Sequence, residues 1–149
     1  MASMKRPQLR SVKALSGHRL ELTFIDGNRY RVDLSADVQR LPGLRALRSA
    51  SAFAACALAD AGWSVEWPAH DVQIGADTLW LDAVAQCSRD PGQRALLQWR
   101  ARHGLSLAAA SQALGLTPRT ISAYGTGSRS VPKTVLLAIK GWEIETRAA

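Results

Sequence analysis

Leu107-Ala108-Ala109-Ala110-Ser111-Gln112-Ala113-Leu114-Gly115-Leu116-Thr117-Pro118-Arg119-Thr120-Ile121-Ser122-Ala123-Tyr124 is the stretch that decides how the C-terminal part of this chain folds. Ser106 in front of it can cap a helix over Leu107 to Leu114, and Gly115 supplies the left-handed residue that ends one. Thr117 then caps a second helix, in which Pro118 at the first position loses nothing by lacking an N–H, and Gly125 or Gly127 closes it. Two short helices joined by a tight glycine turn have the spacing of a helix-turn-helix, whose helices cross at about 90 to 120°. The small Ala110 and Ser111 permit close approach, with Leu114, Leu116 and Ile121 as buried contacts. Arg119, Thr120, Ser122 and Ala123 are left on the outer face of the second helix. They are short or basic groups that can reach base edges and phosphates, arginine being the commonest partner of guanine.

Working outward, Asp90 reads as the N-cap of a preceding helix with Pro91 at its first position and Gly104 at its end, and Leu96 and Trp99 mark its buried side. A further helix starts near Pro132 and carries Val135, Leu136, Ile139 and Trp142 on one stripe. Four short helices make a compact all-α unit. The chain has 149 residues and a formal charge of +7, from 19 Lys and Arg against 12 Asp and Glu. The excess is uneven: through Ala85 there are ten basic and nine acidic residues, and from Gln86 nine basic and three acidic. From Pro91 to Trp142 no Asp or Glu occurs. A polyanionic partner explains that gap; chance bias in an alanine-rich segment is the other reading.

The N-terminal part reads as strands. Arg19 to Phe24 and Arg29 to Leu34 alternate apolar and polar residues, and Asp26-Gly27 between them supplies the positive φ of a tight hairpin. A strand near Arg10 to Leu15 completes a meander with one oily face. Helices over Ala46 to Ala61 and Asp77 to Ala85 are expected to cover it, with a short strand from Gly62 stopped by Pro68. The polar run from Gln86 holds the turn residues of a domain join. The expected layout is an α+β domain over residues 1–85, a linker over 86–90, and an all-α helix-turn-helix domain of four to five short helices over 91–149.

Gly104-Leu-Ser, then Leu114-Gly-Leu-Thr-x-x-Thr-Ile-Ser-x-Tyr-x-x-Gly127-x-Arg129-x-Val-Pro132, resembles the lambda-repressor-like (XRE/Cro-type) helix-turn-helix family over roughly residues 91–142. The resemblance implies a DNA-binding domain of about five helices, dimeric on its operator, with its third helix in the major groove. It places Thr117, Arg119, Thr120, Ser122 and Ala123 facing bases or phosphates, with Arg129 in a loop that touches backbone; Lys133 follows as a further DNA contact. Two positions depart from the pattern: Leu107 stands where the family often carries glutamine, and Gly125 where it often carries glutamate. Leu20-x-Leu-x-Phe-x-Asp26-Gly, Val32-Asp-Leu34, Phe53 and Trp67-Pro68 resemble a family of small bacterial α+β domains of unknown function, over roughly residues 11–81. That resemblance implies a fold and no activity; Asp33 and Asp37 read as capping or exposed acids.

Catalytic chemistry is not expected. His18, His70 and His103 are isolated, no nucleophile elbow or phosphate-cradling glycine loop occurs, and no carboxylates pair in an acid/base frame. Cys56 and Cys87 stand apart from other metal-ligand residues and read as small buried or half-buried hydrophobes, so neither a metal nor another cofactor is expected. Trp63, Trp67, Trp80, Trp99 and Trp142 read as core. No apolar run reaches the ~18 residues of a membrane span, and Met1 to Pro7 has a basic start without an apolar run, so the expected location is cytoplasmic. The function these readings point to is that of a bacterial transcription regulator. It is expected to bind double-stranded DNA as a homodimer, its α+β domain dimerising, binding a partner or sensing a ligand. The alternative is a protein-interaction module, such as the antitoxin-like half of a two-protein system with a small protein partner.

Overall fold

The computed structural model describes residues 6–148; the first five residues, read above for a targeting segment, and Ala149 lie outside them. The chain divides into two compact units, one ending at Gln86 and the other starting at Cys87. An α+β unit is followed by a helical one, as the sequence pattern implies.

In the first unit, β1 (Leu9–Leu15), β2 (Arg19–Phe24) and β3 (Arg29–Asp33) form an antiparallel sheet in that order. The hairpin turns at Gly27, with φ +89°, while the Asp26 carboxylate accepts from the Asn28 N–H at 2.9 Å and again from its side-chain amide. Alternation does the rest: Leu20, Leu22, Phe24 and Val32 point into one core, in register as Leu20↔Val32 and Leu22↔Tyr30. Helix α1 (Ser35–Arg40) follows. Asp33 accepts from the Ser35 hydroxyl at 2.6 Å and N–H at 2.8 Å, and these bonds hold its carboxyl below the usual carboxylate range. After a 3-10 segment over Pro42–Arg48 come α2 (Ala50–Ala54), β4 (Ala57–Ala59), β5 (Ser64–Trp67), β6 (Val72–Gly75) and α3 (Ala76–Cys87). The three strands form a second antiparallel sheet, β4-β5-β6. Phe53 and Trp67 join the halves of the unit: the buried Trp67 indole donates to the Phe53 carbonyl at 2.7 Å and its ring lies 5.7 Å from that of Phe53.

The continuous helix expected over Ala46 to Ala61 does not form. Alanine favours helix by at most ~1 kcal/mol per residue over alternatives. Here Leu58 gains more by packing inward opposite Val65, in register on β5. Asp60, Ala61 and Gly62 then take φ of +52°, +57° and +92°, a reversal no right-handed helix contains. Gly62 is required there, since a Cβ would lie 2.1 Å from the Leu9 carbonyl oxygen. Two further expectations fail locally. Trp63 is 38% exposed, with the Arg6 guanidinium 4.8 Å above its ring, and Cys87 is exposed at the end of α3. Cys56 is half-buried, and burial pushes its thiol up.

The second unit contains α4 (Pro91–His103), α5 (Leu107–Leu114), α6 (Pro118–Thr126) and α7 (Lys133–Ala148). Asp90 caps α4 by accepting from Gly92 N–H at 2.9 Å, and Gly104 ends it at φ +62°. Leu96, Trp99, Ala110, Ile121, Tyr124, Val135 and Ile139 form its core, with Trp142 edge-on to Trp99 at 5.4 Å. No helix among the described residues is long and apolar enough to cross a membrane.

Asp82 on α3 carries a testable cost. Burial raises its pKa to about 6, the Asp37 carboxylate adds to the rise, and Arg40 opposes it. The folded value exceeds the unfolded one of ~3.9, so the folded state holds the proton more tightly. Stability is then greatest below the unfolded value, falls as pH rises to about 6, and stays low above. Asp82→Asn is expected to match the parent near pH 4 and to exceed it above pH 6 by on the order of 1 kcal/mol, solvent screening included. Urea melts across that range, read by tryptophan fluorescence, check this; identical pH profiles refute it.

Candidate nucleic-acid interface

The two helices singled out by the sequence are set by local bonds. Ser106 Oγ accepts from Ala109 N–H at 3.0 Å to start α5, and Gly115 at φ +69° ends it. Ser111 fastens the turn twice: its hydroxyl donates to the Leu116 carbonyl, and its own carbonyl accepts from Leu116 N–H at 3.1 Å. Thr117 Oγ1 accepts from Thr120 N–H at 3.2 Å to start α6. Helix α6 ends at Gly127, with φ +79°, whereas Gly125 lies inside it and is buried. A Cβ at Gly125 would meet Leu97 at 3.4 Å, so the missing side chain lets α6 lie close on α4.

Ile121, Tyr124 and Gly125 are the buried side of α6. The opposite side and the loop after it hold the residues named from sequence. Arg119 is exposed in the first turn; Ser122 and Ala123 are half-buried beyond it. Thr117 and Thr120 pair through their hydroxyls at 2.9 Å, which uses one hydroxyl hydrogen and leaves the other free to donate outward. The Ala123 carbonyl is taken up inside the unit, accepting from Arg129 N–H at 3.2 Å and Ser128 Oγ at 3.2 Å. Arg129 is exposed, its guanidinium 5.7 Å over the Tyr124 ring. Lys133 is exposed at the first position of α7. Thr117, Arg119 and Thr120 thus share one helix start, while Arg129 and Lys133 belong to the loop and helix that follow.

The electrostatics of the unit are one-sided. None of α4 to α7 has an acid in its first turn, while α6 and α7 begin with Arg119 and Lys133. A cation at a helix N-terminus opposes the helix dipole and costs ~0.3 to 1 kcal/mol. An external anion bound there relieves both charges. Glu143, just past the acid-free stretch, is engaged with His103 at 3.3 Å and Arg102 at 3.8 Å. Among the described residues no three His, Cys, Asp or Glu side chains come together as a metal set.

Sequence reasoning missed the residues that hold α6 in place. Gln93 donates its amide to the Gly125 carbonyl at 2.8 Å and accepts from the Ser88 hydroxyl at 2.6 Å, tying the start of α4 to the last turn of α6. Arg100 is buried, and its Nε donates to the Leu105 carbonyl at 3.2 Å, bracing the α4–α5 turn. A buried arginine that donates to a backbone carbonyl leaves no sequence signal, because every residue type offers that acceptor.

The model of the family described as "Protein of unknown function (DUF2442)" matches residues 9–85. No curated protein matches the chain. The crystal structure named "Putative DNA Binding Protein NE0471", from Nitrosomonas europaea ATCC 19718, is 32% identical; the match covers 96% of this chain and 90% of that one, with a TM-score of 0.56.

Gln93→Leu keeps the volume and removes both bonds, leaving the Gly125 carbonyl without its donor. It is expected to destabilise the helical unit by about 1 to 2 kcal/mol. Thermal melts of the full chain measure this, and an unchanged transition sinks the assignment.

Proposed function

We propose, from the premise that this chain belongs to the DUF2442 family through residues 9–85, that it is a transcription regulator whose C-terminal unit, a lambda-repressor-like helix-turn-helix, reads duplex DNA. The observation that carries the reading is the outward face of α6, where Arg119 and the Thr117–Thr120 pair stand at a helix start in a unit without first-turn acids. The acid-free stretch from Pro91 to Trp142 underlies that electrostatic setting, and the name of the Nitrosomonas europaea relative supports the reading independently. In this reading Arg119 contacts a base edge, and Arg129 and Lys133 contact phosphates on either strand. The protein is a binding protein and not an enzyme; promoter occupancy is its mechanism.

One recognition helix spans only a few base pairs, so useful specificity needs two copies on half-sites about one helical turn apart. Helix α7 supports such pairing. Besides the core stripe of Val135 and Ile139, it exposes Leu137 (55%) and Ile144 (67%), seven residues apart on another side.

Enrichment of one sequence from a random duplex pool, with log affinity falling steeply as log salt rises, is the expected result. Arg119→Ala is expected to relax base preference at one position by about 1 to 3 kcal/mol, and Arg129→Ala to weaken all sequences alike. A flat salt response or no enriched sequence refutes the reading. For the dimer, Leu137→Lys with Ile144→Lys is expected to give monomers in sedimentation, losing more affinity for a two-half-site duplex than for a single half-site. A variant that stays dimeric, or a parent that is monomeric, removes α7 from the interface.

A further inference from the structure

The charges of the α+β unit are sorted along the chain in a way that its near-neutral total hides. Residues 49–85 contain five acids (Asp60, Glu66, Asp71, Asp77 and Asp82) and no Lys or Arg. Every basic residue of the unit therefore precedes Ser49. The first sheet gathers five of them on one side. Leu20, Leu22, Phe24 and Val32 turn inward, so Lys13, Arg19, Glu21, Thr23, Arg29, Arg31 and Asp33 turn outward; the register irregularity between Leu9 and Ser11 puts Arg10 and Ser11 outward together. Pairing aligns Lys13↔Glu21↔Arg31 as one row across the sheet and Ser11↔Thr23↔Arg29 as the next. Five cations share this face with two carboxylates.

Arg10 donates to the Ile25 carbonyl at 3.0 Å, and Arg19 donates to the Ser16 carbonyl at 2.9 Å and stands opposite Asp33; both remain exposed. The side chains of Lys13 and Arg29 make no intramolecular hydrogen bond or ion pair among the described residues, and Arg31 meets Glu21 at 3.5 Å with 69% of its side chain exposed. Neighbouring strands lie about 5 Å apart and alternate residues on a strand about 7 Å, inside a Debye length of ~8 to 10 Å, so the charges act as one field. Glu21, between Lys13 and Arg31, and Asp33, opposite Arg19, offset part of this charge; the positive excess that is left repels itself, and a polyanion laid over the face relieves it. We infer that the outward face of the first sheet is a second, sequence-independent contact for the phosphate backbone of duplex DNA. Ser11 and Thr23 place hydroxyl donors in the arginine row, as phosphate contacts use. A membrane-binding face would need several exposed apolar anchors, whereas the neutral members here are Ser11, Thr23 and the half-buried Leu15, with Ile25 the one exposed large apolar residue at its hairpin edge among the described residues. The inference does not depend on the helix-turn-helix reading.

The test uses the full chain with Lys13→Thr, Arg29→Thr and Arg31→Thr together, threonine being at home in strands. Titration of a selected and a scrambled duplex at several salt concentrations should show the log–log slope falling by about 2 to 3, one for each charge removed, with the ratio between the two duplexes unchanged. The charge-conserving set Lys13→Arg, Arg29→Lys and Arg31→Lys should keep the parent slope. If the triple variant melts early, Arg29→Thr alone should lower the slope by about 0.9. An unchanged slope in a folded variant overturns the inference, as does a slope lost equally in the charge-conserving set. Binding to phosphatidylserine vesicles that disappears in the triple variant while the duplex slope stays put overturns it in favour of a membrane. The two readings fail separately. Duplex binding without sequence preference that the triple variant weakens leaves the sheet and removes α6 as a reader. Preference with an unchanged slope does the reverse, and no duplex binding by the parent removes both.

Discussion

The turn at Gly115 is the constraint on which the helical unit depends. Its left-handed φ of +69° costs a glycine little and any β-branched residue much more. Ser111 locks that conformation by bonding both the carbonyl and the N–H of Leu116. With the turn fixed, Ile121 and Tyr124 have one way to enter the core shared with Leu96 and Trp99, and the rest of α6 is turned to solvent. The helix is then held from behind by Gln93 at Gly125 and by the close approach of Leu97. Arg119 owes its exposure to this chain of contacts and to no contact of its own.

How much of this could be read in advance follows the range of the interactions. Helix caps and hairpin turns are local: Ser106, Thr117, Asp90 and Asp26-Gly27 each act within three residues, and each stands where its sequence context puts it. On α6 the same local reading puts Arg119 in solvent, as observed, whereas Thr120, Ser122 and Ala123, expected on the outer face, are half-buried. Gln93 was not legible, because its partner lies 32 residues away, and a polar residue after a cap looks like a solvated one. The alanine-rich run before Asp60 misled because its local preference is for helix. Its strand is stabilised by Val65, and its reversal is shaped around the Leu9 carbonyl, more than 50 residues back. Of the two glycines that could end α6, Gly127 takes the left-handed closing position, and Gly125 lies inside the helix with Leu97 of α4 packed against it.

Charge behaves differently from packing: Arg48 and Arg100 brace turns through carbonyls, while Arg119, Arg129 and Lys133 make no such side-chain bond within the described residues. Among the described residues ion pairs are few, and those of Arg31 and Arg40 lie at the surface, where such pairs contribute at most ~1 kcal/mol. Asp82 costs stability where it sits, and the cations at the starts of α6 and α7 oppose their helix dipoles. A fold selected for stability alone would place acids at those helix starts. Their absence is an unfavourable feature of the isolated chain that a bound anion turns into a favourable one.

In the proposed function, two basic surfaces of different construction divide the work of recognition. On α6 the charge is single, placed at a helix end, and surrounded by short side chains, so what it gains depends on which atom it meets; that is the condition for discrimination. On the first sheet the charges are several, spread over three strands and interleaved with carboxylates, so their gain depends on total phosphate charge and hardly on register. The second arrangement raises the occupancy of any duplex without changing the ratio between sequences. A regulator of the proposed kind, with one short recognition helix per copy, needs both. Discrimination from a few base pairs is of little use unless the chain is near DNA for most of its time, and affinity that is blind to sequence supplies that proximity.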